Sequence, residues 1–177
     1  MNQANSTFPI IITLILFSIC LSESATKLPN RDTIKGTLFQ KLDPADTGIN
    51  IVLPINKTHP LKRVYVSAFA CGGVSSGDVD GDGLVDLFIA NGPGQNRLYI
   101  NKGNFKFDDY TETAKLGGGD AWTGGAPLVD IDGDGDLDLY TCNYGSPNQL
   151  FINDGKGIFA ENARQYGLDI NGAILMA

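Results

Sequence analysis

DVDGDGLVD occupies residues 78–86, and DIDGDGDLD occupies residues 130–138. Each stretch places aspartates at alternate positions and closes on a further aspartate at its ninth residue. Four carboxylates folded into one tight loop repel each other severely unless a cation lies among them. In the first loop Asp78, Asp80, Asp82 and Asp86 offer side-chain oxygens, and the backbone carbonyl of Leu84 can add another. Gly81 and Gly83 permit a turn that side chains would forbid. The second loop repeats the arrangement with Asp130, Asp132, Asp134, the carbonyl of Asp136, and Asp138. The side chain of Asp136 is expected to point to solvent. About six hard oxygen ligands in a flexible loop suit Ca²⁺ better than Zn²⁺ or Mg²⁺, so two calcium sites are expected. The plainer alternative, a hairpin built of good turn formers, leaves the charge uncompensated. An EF-hand shares the first three ligand positions but requires a glutamate at about position 12. Ile89 and Thr141 stand there, inside apolar runs.

The two loops are the clearest part of a longer repeat. An offset of 52 residues carries Asp78 onto Asp130, and likewise Asn96 onto Asn148, Asn101 onto Asn153, Phe107 onto Phe159 and Leu116 onto Leu168. NRLYINKGNFKF (96–107) therefore aligns with NQLFINDGKGIF (148–159) without a gap. Residues 86–90, 97–100 and 105–110, with 138–142 and 149–152 in the second unit, have the β-branched and aromatic content or the alternation of strands. Gly and Pro at 92–94 and 145–147 mark turns, and 161–166 is the one stretch expected to form a short helical turn. A unit of about 50 residues with roughly four strands is the pattern of a propeller blade. The expected fold is all-β: two four-stranded blades of an incomplete β-propeller, at about 72–116 and 124–168, with a third unit starting at 169–177. Two blades do not close a ring that usually needs about four to eight, so the chain is expected to be the N-terminal piece of a longer protein or to assemble with further blades. Asn96, Asn101, Asn148 and Asn153 are expected to support turns and hairpins. Trp122, just ahead of the second unit's inner strand, is expected to pack between blades, with a sugar-stacking platform as the alternative.

The remainder of the 177-residue chain bounds location and partners. A net charge of −7 without a Lys/Arg patch argues against a nucleic-acid binder. Residues 8–21 are almost wholly apolar, yet shorter than the roughly 20 residues a spanning helix needs. Ser22, Glu23 and Ser24 follow, so residues 1–24 read as a signal peptide cut after Ser24 or Ser22, although no Lys or Arg precedes the apolar run. That implies a secreted, periplasmic or surface protein with no membrane span in its mature form. The alternatives are a short buried element and lipidation at Cys20. Export permits disulfides, and Cys71 and Cys142 are expected as two buried thiols or as a bridged pair. Residues 25–63 read as an extended leader with a strand at 49–53, and residues 64–69 as an outer strand of a neighbouring blade. Asn56-Lys57-Thr58 has the form of a glycosylation sequon.

CGGVSSGDVDGDGLVDLFIANGP (71–93) resembles the FG-GAP repeat of integrin α-chain propellers and, more closely, the bacterial VCBS repeat. NRLYINKGNFKFDDYT (96–111) is similar to exported proteins related to cartilage acidic protein, which often end in an ASPIC/UnbV module; no such module is visible here. The resemblance covers about residues 64–177. It implies a seven-bladed propeller with a calcium loop between the first two strands of each blade. Its ligands map onto Asp78, Asp80, Asp82 and Asp86 and onto Asp130, Asp132, Asp134 and Asp138. Two departures stand out: Cys71-Gly72 replaces Phe-Gly, and Asn91-Gly92-Pro93 replaces Gly-Ala-Pro.

Three functions follow as expectations. The first is a secreted or surface module that binds an extracellular protein or glycan, with structural calcium and a role in adhesion or ligand binding. The second is part of a calcium-dependent propeller enzyme acting on polysaccharide. The third is a purely structural segment of a larger array. Against the enzyme, the single histidine, His59, lies in a Pro-rich leader, and no nucleophile elbow, phosphate loop or zinc spacing occurs. Asp108, Asp109, Glu112 and Asp120 could act as acids or bases but read more simply as turn and edge residues, so no catalytic residue is expected.

Overall fold

The computed structural model describes residues 39–52, 72–92, 94–117 and 121–173. The expected signal peptide with Cys20, the sequon, His59, the strand at 64–69, Cys71 and Asp120 lie outside the described residues. The described residues from Leu42 onward belong to one compact unit.

Within that unit the sequence repeat becomes two antiparallel sheets. In the first, β1 (Gly73–Gly77), β2 (Asp86–Ala90), β3 (Arg97–Asn101) and β4 (Phe107–Asp109) follow one another in chain order. Gly77 pairs with Asp86, Phe88 with Leu98, and Ile100 with Asp108. In the second sheet, β7 (Asp138–Pro147) pairs with β8 (Gln149–Asn153), which pairs with β9 (Phe159–Glu161). Its first strand comes in two pieces, β5 (Trp122–Gly125) and β6 (Leu128–Val129), both paired with β7. Pro127 lies at the break, and a proline has no N–H for a ladder. A short β10 (Asn171–Ala173) lies along the far end of β7, opposite Tyr144 and Pro147. The all-β architecture and the four-strand unit thus match the sequence pattern.

The two sheets share one apolar core. Val79, Phe88, Leu98 and Ile100 from the first repeat meet Leu139, Phe151 and Phe159 from the second, with Leu128 and Leu137 packed alongside. Strand alternation explains which side faces inward. Along β1, Gly73, Ser75 and Gly77 are half-buried while Val74 and Ser76 face out. These small residues let the sheets approach: the Ser75 hydroxyl donates to the Ala126 carbonyl of the second sheet.

Polar side chains join the strand ends opposite the acidic loops. Asn96 Oδ1 accepts from the Asn91 N–H at 3.0 Å, and Asn148 Oδ1 accepts from the Asn143 N–H at 2.8 Å. Thr123 connects the two turns, accepting from Asn96 Nδ2 and donating to Asn143 Oδ1, each at 2.9 Å. The asparagines at 96 and 148 therefore are turn supports, as their repetition predicts.

Four local expectations are corrected. The strand expected at 105–110 is confined to Phe107–Asp109, because Asn104 and Phe105 turn through positive φ of 53° and 58°. Residues 49–52 are not a strand. Ahead of them the chain forms a single helical turn, α1 (Pro44–Thr47), where Asp43 accepts from the Ala45 N–H and Pro44 sits in the first turn. Trp122 begins β5 instead of preceding it; it is buried, edge-on to Tyr144 at a centroid distance of 6.5 Å. The helical turn expected at 161–166 is α2 (Ala163–Tyr166), narrower than the sequence range. Cys142 is a buried free thiol whose pKa burial raises. Among the described residues no helix is long and apolar enough to cross a membrane.

Candidate metal centre

Each acidic loop joins the first two strands of its sheet: residues 78–85 between β1 and β2, and residues 130–137 between β6 and β7. The loops turn sharply because Gly81 and Gly83, and in the second loop Gly133 and Gly135, take positive φ between 75° and 98°. These values are open to glycine and costly for residues with a Cβ.

The two loops share one hydrogen-bond scheme. Asp78 accepts from the N–H groups of Gly81 and Gly83, both at 2.8 Å, and Asp130 accepts from Gly133 and Gly135 at 2.7 and 3.1 Å. Asp80 and Asp132 accept from the N–H two residues on, each at 3.3 Å. Asp82 accepts from Leu84 N–H at 2.8 Å, and Asp134 from Asp136 N–H at 3.2 Å. The closing aspartates are buried completely, and both oxygens of each are engaged. Asp86 accepts from Val79 N–H at 2.9 Å and from Asn101 N–H at 2.8 Å. Asp138 accepts from Ile131 N–H at 3.0 Å and from Asn153 N–H at 2.8 Å. Asn101 and Asn153 also donate from Nδ2 to the carbonyls of Val85 and Leu137, the residues just before those aspartates.

This scheme gathers negative charge. One carboxylate oxygen each from Asp78, Asp80 and Asp86 lies within 4.8 Å of the others, and the same holds for Asp130, Asp132 and Asp138. Asp82 and Asp134, expected as ligands, fall outside these trios and cap the N–H groups of the residues whose carbonyls the sequence reading enlisted, Leu84 and Asp136. The hard oxygen donors fit a hard divalent cation. Crowding also shows in protonation. Burial chiefly raises the pKa of Asp86, against two backbone hydrogen bonds that lower it, with the charges of Asp80 and Asp82 adding to the rise. Asp132 is raised in the same direction.

Asp136 departs from expectation. It does not stand clear in solvent; its Oδ1 is buried, and its Oδ2 lies against Gly155 in the β8–β9 turn, where a Cβ would come within 2.8 Å. Burial first, then a hydrogen bond with Asp134 and the charges of Asp134, Asp138 and Asp132, push its pKa up to about 6.

Residues 78–141 match the family model described as FG-GAP-like repeat. The chain carries an FG-GAP-like repeat. The matched stretch begins at the first aspartate of one loop and runs past the last aspartate of the other, so the FG-GAP-like segment contains both carboxylate trios. No curated protein matches the chain.

Two of the candidate acid–base groups outside the loops, Asp109 and Glu112, are engaged in hydrogen bonds. Asp109 Oδ1 accepts from Thr111 N–H and hydroxyl, and its other oxygen pairs with Arg97 at 3.1 Å. Glu112 accepts from Gln95 Nε2 at 3.0 Å. What sequence reasoning missed is the reach of Asn153 beyond its own hairpin, to the Val79 carbonyl of the first loop at 2.8 Å. Its repeat partner Asn101 gave the hairpin role, but a contact 74 residues away in sequence leaves no local signal.

Proposed function

We propose that this chain is part of a calcium-binding, propeller-type interaction module that works outside the cytoplasm, with the cation in a structural rather than catalytic role. The observation that carries the reading is the duplication of one acidic loop, aspartate by aspartate and hydrogen bond by hydrogen bond, at an offset of 52 residues. Asp78, Asp80 and Asp86 would hold one ion, and Asp130, Asp132 and Asp138 the other. Asp82, Asp134 and the carbonyls of Leu84 and Asp136 are proposed to complete the shells when an ion is present. A bound divalent ion would offset two of the three negative charges of its trio and pin the corner between the first two strands of each repeat.

Export rests on the apolar leader, and the extracellular partner on the repeat's likeness to integrin-type propellers. On the same footing we propose that further blades complete a ring of about seven, that its loops bind a protein or glycan, and that the chain is related to exported proteins of the cartilage acidic protein type.

The test is a thermal melt of the chain from Ala25 onward in chelator, followed by titration with calcium and, separately, magnesium. Extracellular calcium modules bind at about 10⁻⁴ to 10⁻³ M, so stabilisation should develop over the low millimolar range. A rise in melting temperature with calcium and a much smaller one with magnesium supports the reading. A folded chain indifferent to calcium removes it.

A further inference from the structure

Asn153 touches both acidic loops. Its backbone N–H donates to Asp138 Oδ1 at 2.8 Å, and Nδ2 donates to the Leu137 carbonyl at 3.1 Å, both at the close of the second loop. The same Nδ2 donates to the Val79 carbonyl at 2.8 Å, between Asp78 and Asp80 of the first loop. Val79 in turn donates its N–H to Asp86 Oδ2 at 2.9 Å. A continuous polar path therefore runs from Asp86 through Val79 and Asn153 to Asp138. Asn153 and Val79 are almost wholly buried, at 4% and 1% exposure, so water does not compete for these bonds. The Asn153 Oδ1 accepts from the Gly157 N–H at 3.1 Å, which fixes the orientation of the amide.

The β8–β9 turn touches both loops as well. A Cβ at Gly157 would lie 3.5 Å from Asp80 Cβ, and one at Gly81 would lie 3.6 Å from the Gly155 carbonyl oxygen. Gly155 also abuts Asp136 of the second loop. The repeat supplies an internal comparison: Asn101 makes the equivalent bonds to Asp86 and Val85, and among the described residues it makes no bond to another loop.

We propose that the two cation sites are coupled, and that Asn153 is the positioning residue that couples them. The inference rests on the reading of both loops as cation sites. An ion in the second loop holds Asp138 in place, which holds the Asn153 backbone and side chain. A fixed Asn153 holds the Val79 carbonyl and so presets the spacing of Asp78, Asp80 and Asp86. The first ion then binds a loop whose ordering cost has already been met, which is positive cooperativity. Linkage makes the effect reciprocal. Bonds within a buried chain also polarise one another, which strengthens the connection.

The experiment is calcium titration by calorimetry of the full chain and of variants that disable one loop at a time. Asp80→Asn removes a partly exposed charge of the first loop, and Asp132→Asn an exposed one of the second. Coupling predicts that Asp80→Asn weakens the surviving second site by about fivefold or more, the low end of typical allosteric coupling, and that Asp132→Asn weakens the first by the same factor. In an Asn153→Ser background the dependence vanishes, while in an Asn101→Ser background it persists. If Asn153→Ser does not fold, Asn153→Gln, which keeps the amide but displaces it from the Val79 carbonyl, takes its place and should likewise abolish the dependence. Two sites of unchanged affinity in the single-loop variants, or coupling that persists in Asn153→Ser, overturns the proposal and leaves the calcium reading standing. A wild-type chain that binds no calcium overturns both.

Discussion

Gly77 faces Leu137 across the junction of the two sheets so closely that a methyl group added at Gly77 would lie 2.5 Å from Leu137 Cδ1 and 3.3 Å from Leu128 Cδ1. Gly77 ends β1 beside the first acidic loop, and Leu137 ends the second loop beside β7. The absence of a side chain at one position thus sets how near the two repeats sit.

Gly77→Ala is expected to destabilise the chain by about 1–3 kcal/mol, the usual range for overpacking. Gly77→Val, with two more carbons, should cost more. Leu137→Ala opens a cavity and is destabilising by itself, but it should restore part of the loss in Gly77→Ala. A double-mutant cycle from urea unfolding checks this. Strictly additive losses would show that the two residues do not compete for one space.

Asp86 carries structure, and Asp80 carries charge. Removing the Asp86 carboxylate leaves the N–H groups of Val79 and Asn101 without acceptors. A buried polar group left unsatisfied costs about 1–3 kcal/mol. Asp86→Ala should therefore lose about 2–4 kcal/mol even in chelator. Asp80 is half-exposed and makes one long hydrogen bond of 3.3 Å. Asp80→Asn should change calcium-free stability by no more than about 0.5 kcal/mol while weakening the calcium response of the first loop. Equal losses in chelator for the two variants would contradict this division.

The acidic loops give a pH dependence whose sign is the reverse of ordinary acid denaturation. Asp86 and Asp136 have folded-state pKa values raised above the ordinary carboxylate value, Asp136 to about 6. Such groups take up protons on folding, so their contribution is full below the unfolded value and is lost as pH climbs through the folded value. The calcium-free chain should melt at a falling temperature as pH rises from 4 toward 6.5, and Asp136→Asn should flatten that slope. Millimolar calcium at the upper end should recover the loss, because the cation replaces the protons. A calcium-free melting temperature that climbs steadily over the same interval would refute the assignment.

Much of this was legible in the residues because the repeat fixes phase. Asp78 and Asp130, Asn101 and Asn153, and Phe107 and Phe159 fall at equivalent places in the two sheets, so one unit calibrated the other. The failures fall where no second copy helps or where tertiary contact overrides local pattern. Residues 49–52 have the apolar content of a strand but are not one, and the chain just ahead is drawn into a helical turn by Asp43 and Pro44. Phe105 continues an alternating pattern, yet it lies in a left-handed turn. Asp136 has no acidic counterpart at Leu84, and its side chain is held against Gly155 by a neighbouring hairpin that sequence spacing does not place. Which oxygens stand closest together is set by backbone geometry that spacing does not fix: Asp82 and Asp134 cap the N–H groups of Leu84 and Asp136 and stand outside the closest trios.

Thr123 is the point where the two units depend on each other at the end opposite the loops. It is completely buried and stands between Asn96 and Asn143, which in turn brace the turns after β2 and β7. The chain of bonds continues from Asn148 Nδ2 to the Tyr140 hydroxyl at 2.8 Å, and from that hydroxyl to the Leu168 carbonyl at 3.1 Å. Thr123→Val keeps the shape and deletes only the hydroxyl, leaving Asn96 Nδ2 and Asn143 Oδ1 without this partner. The expected loss is about 2–3 kcal/mol, since a half-satisfied buried network costs more than a single lost bond. Asn96→Ala in the Thr123→Val background should then cost less than Asn96→Ala alone, because the shared bond has already gone. Hydrogen exchange offers a second reading: the Asn91 and Asn143 amides, which donate to Asn96 and Asn148, should both lose protection in Thr123→Val. A loss confined to one of them would mean that Thr123 braces a single repeat.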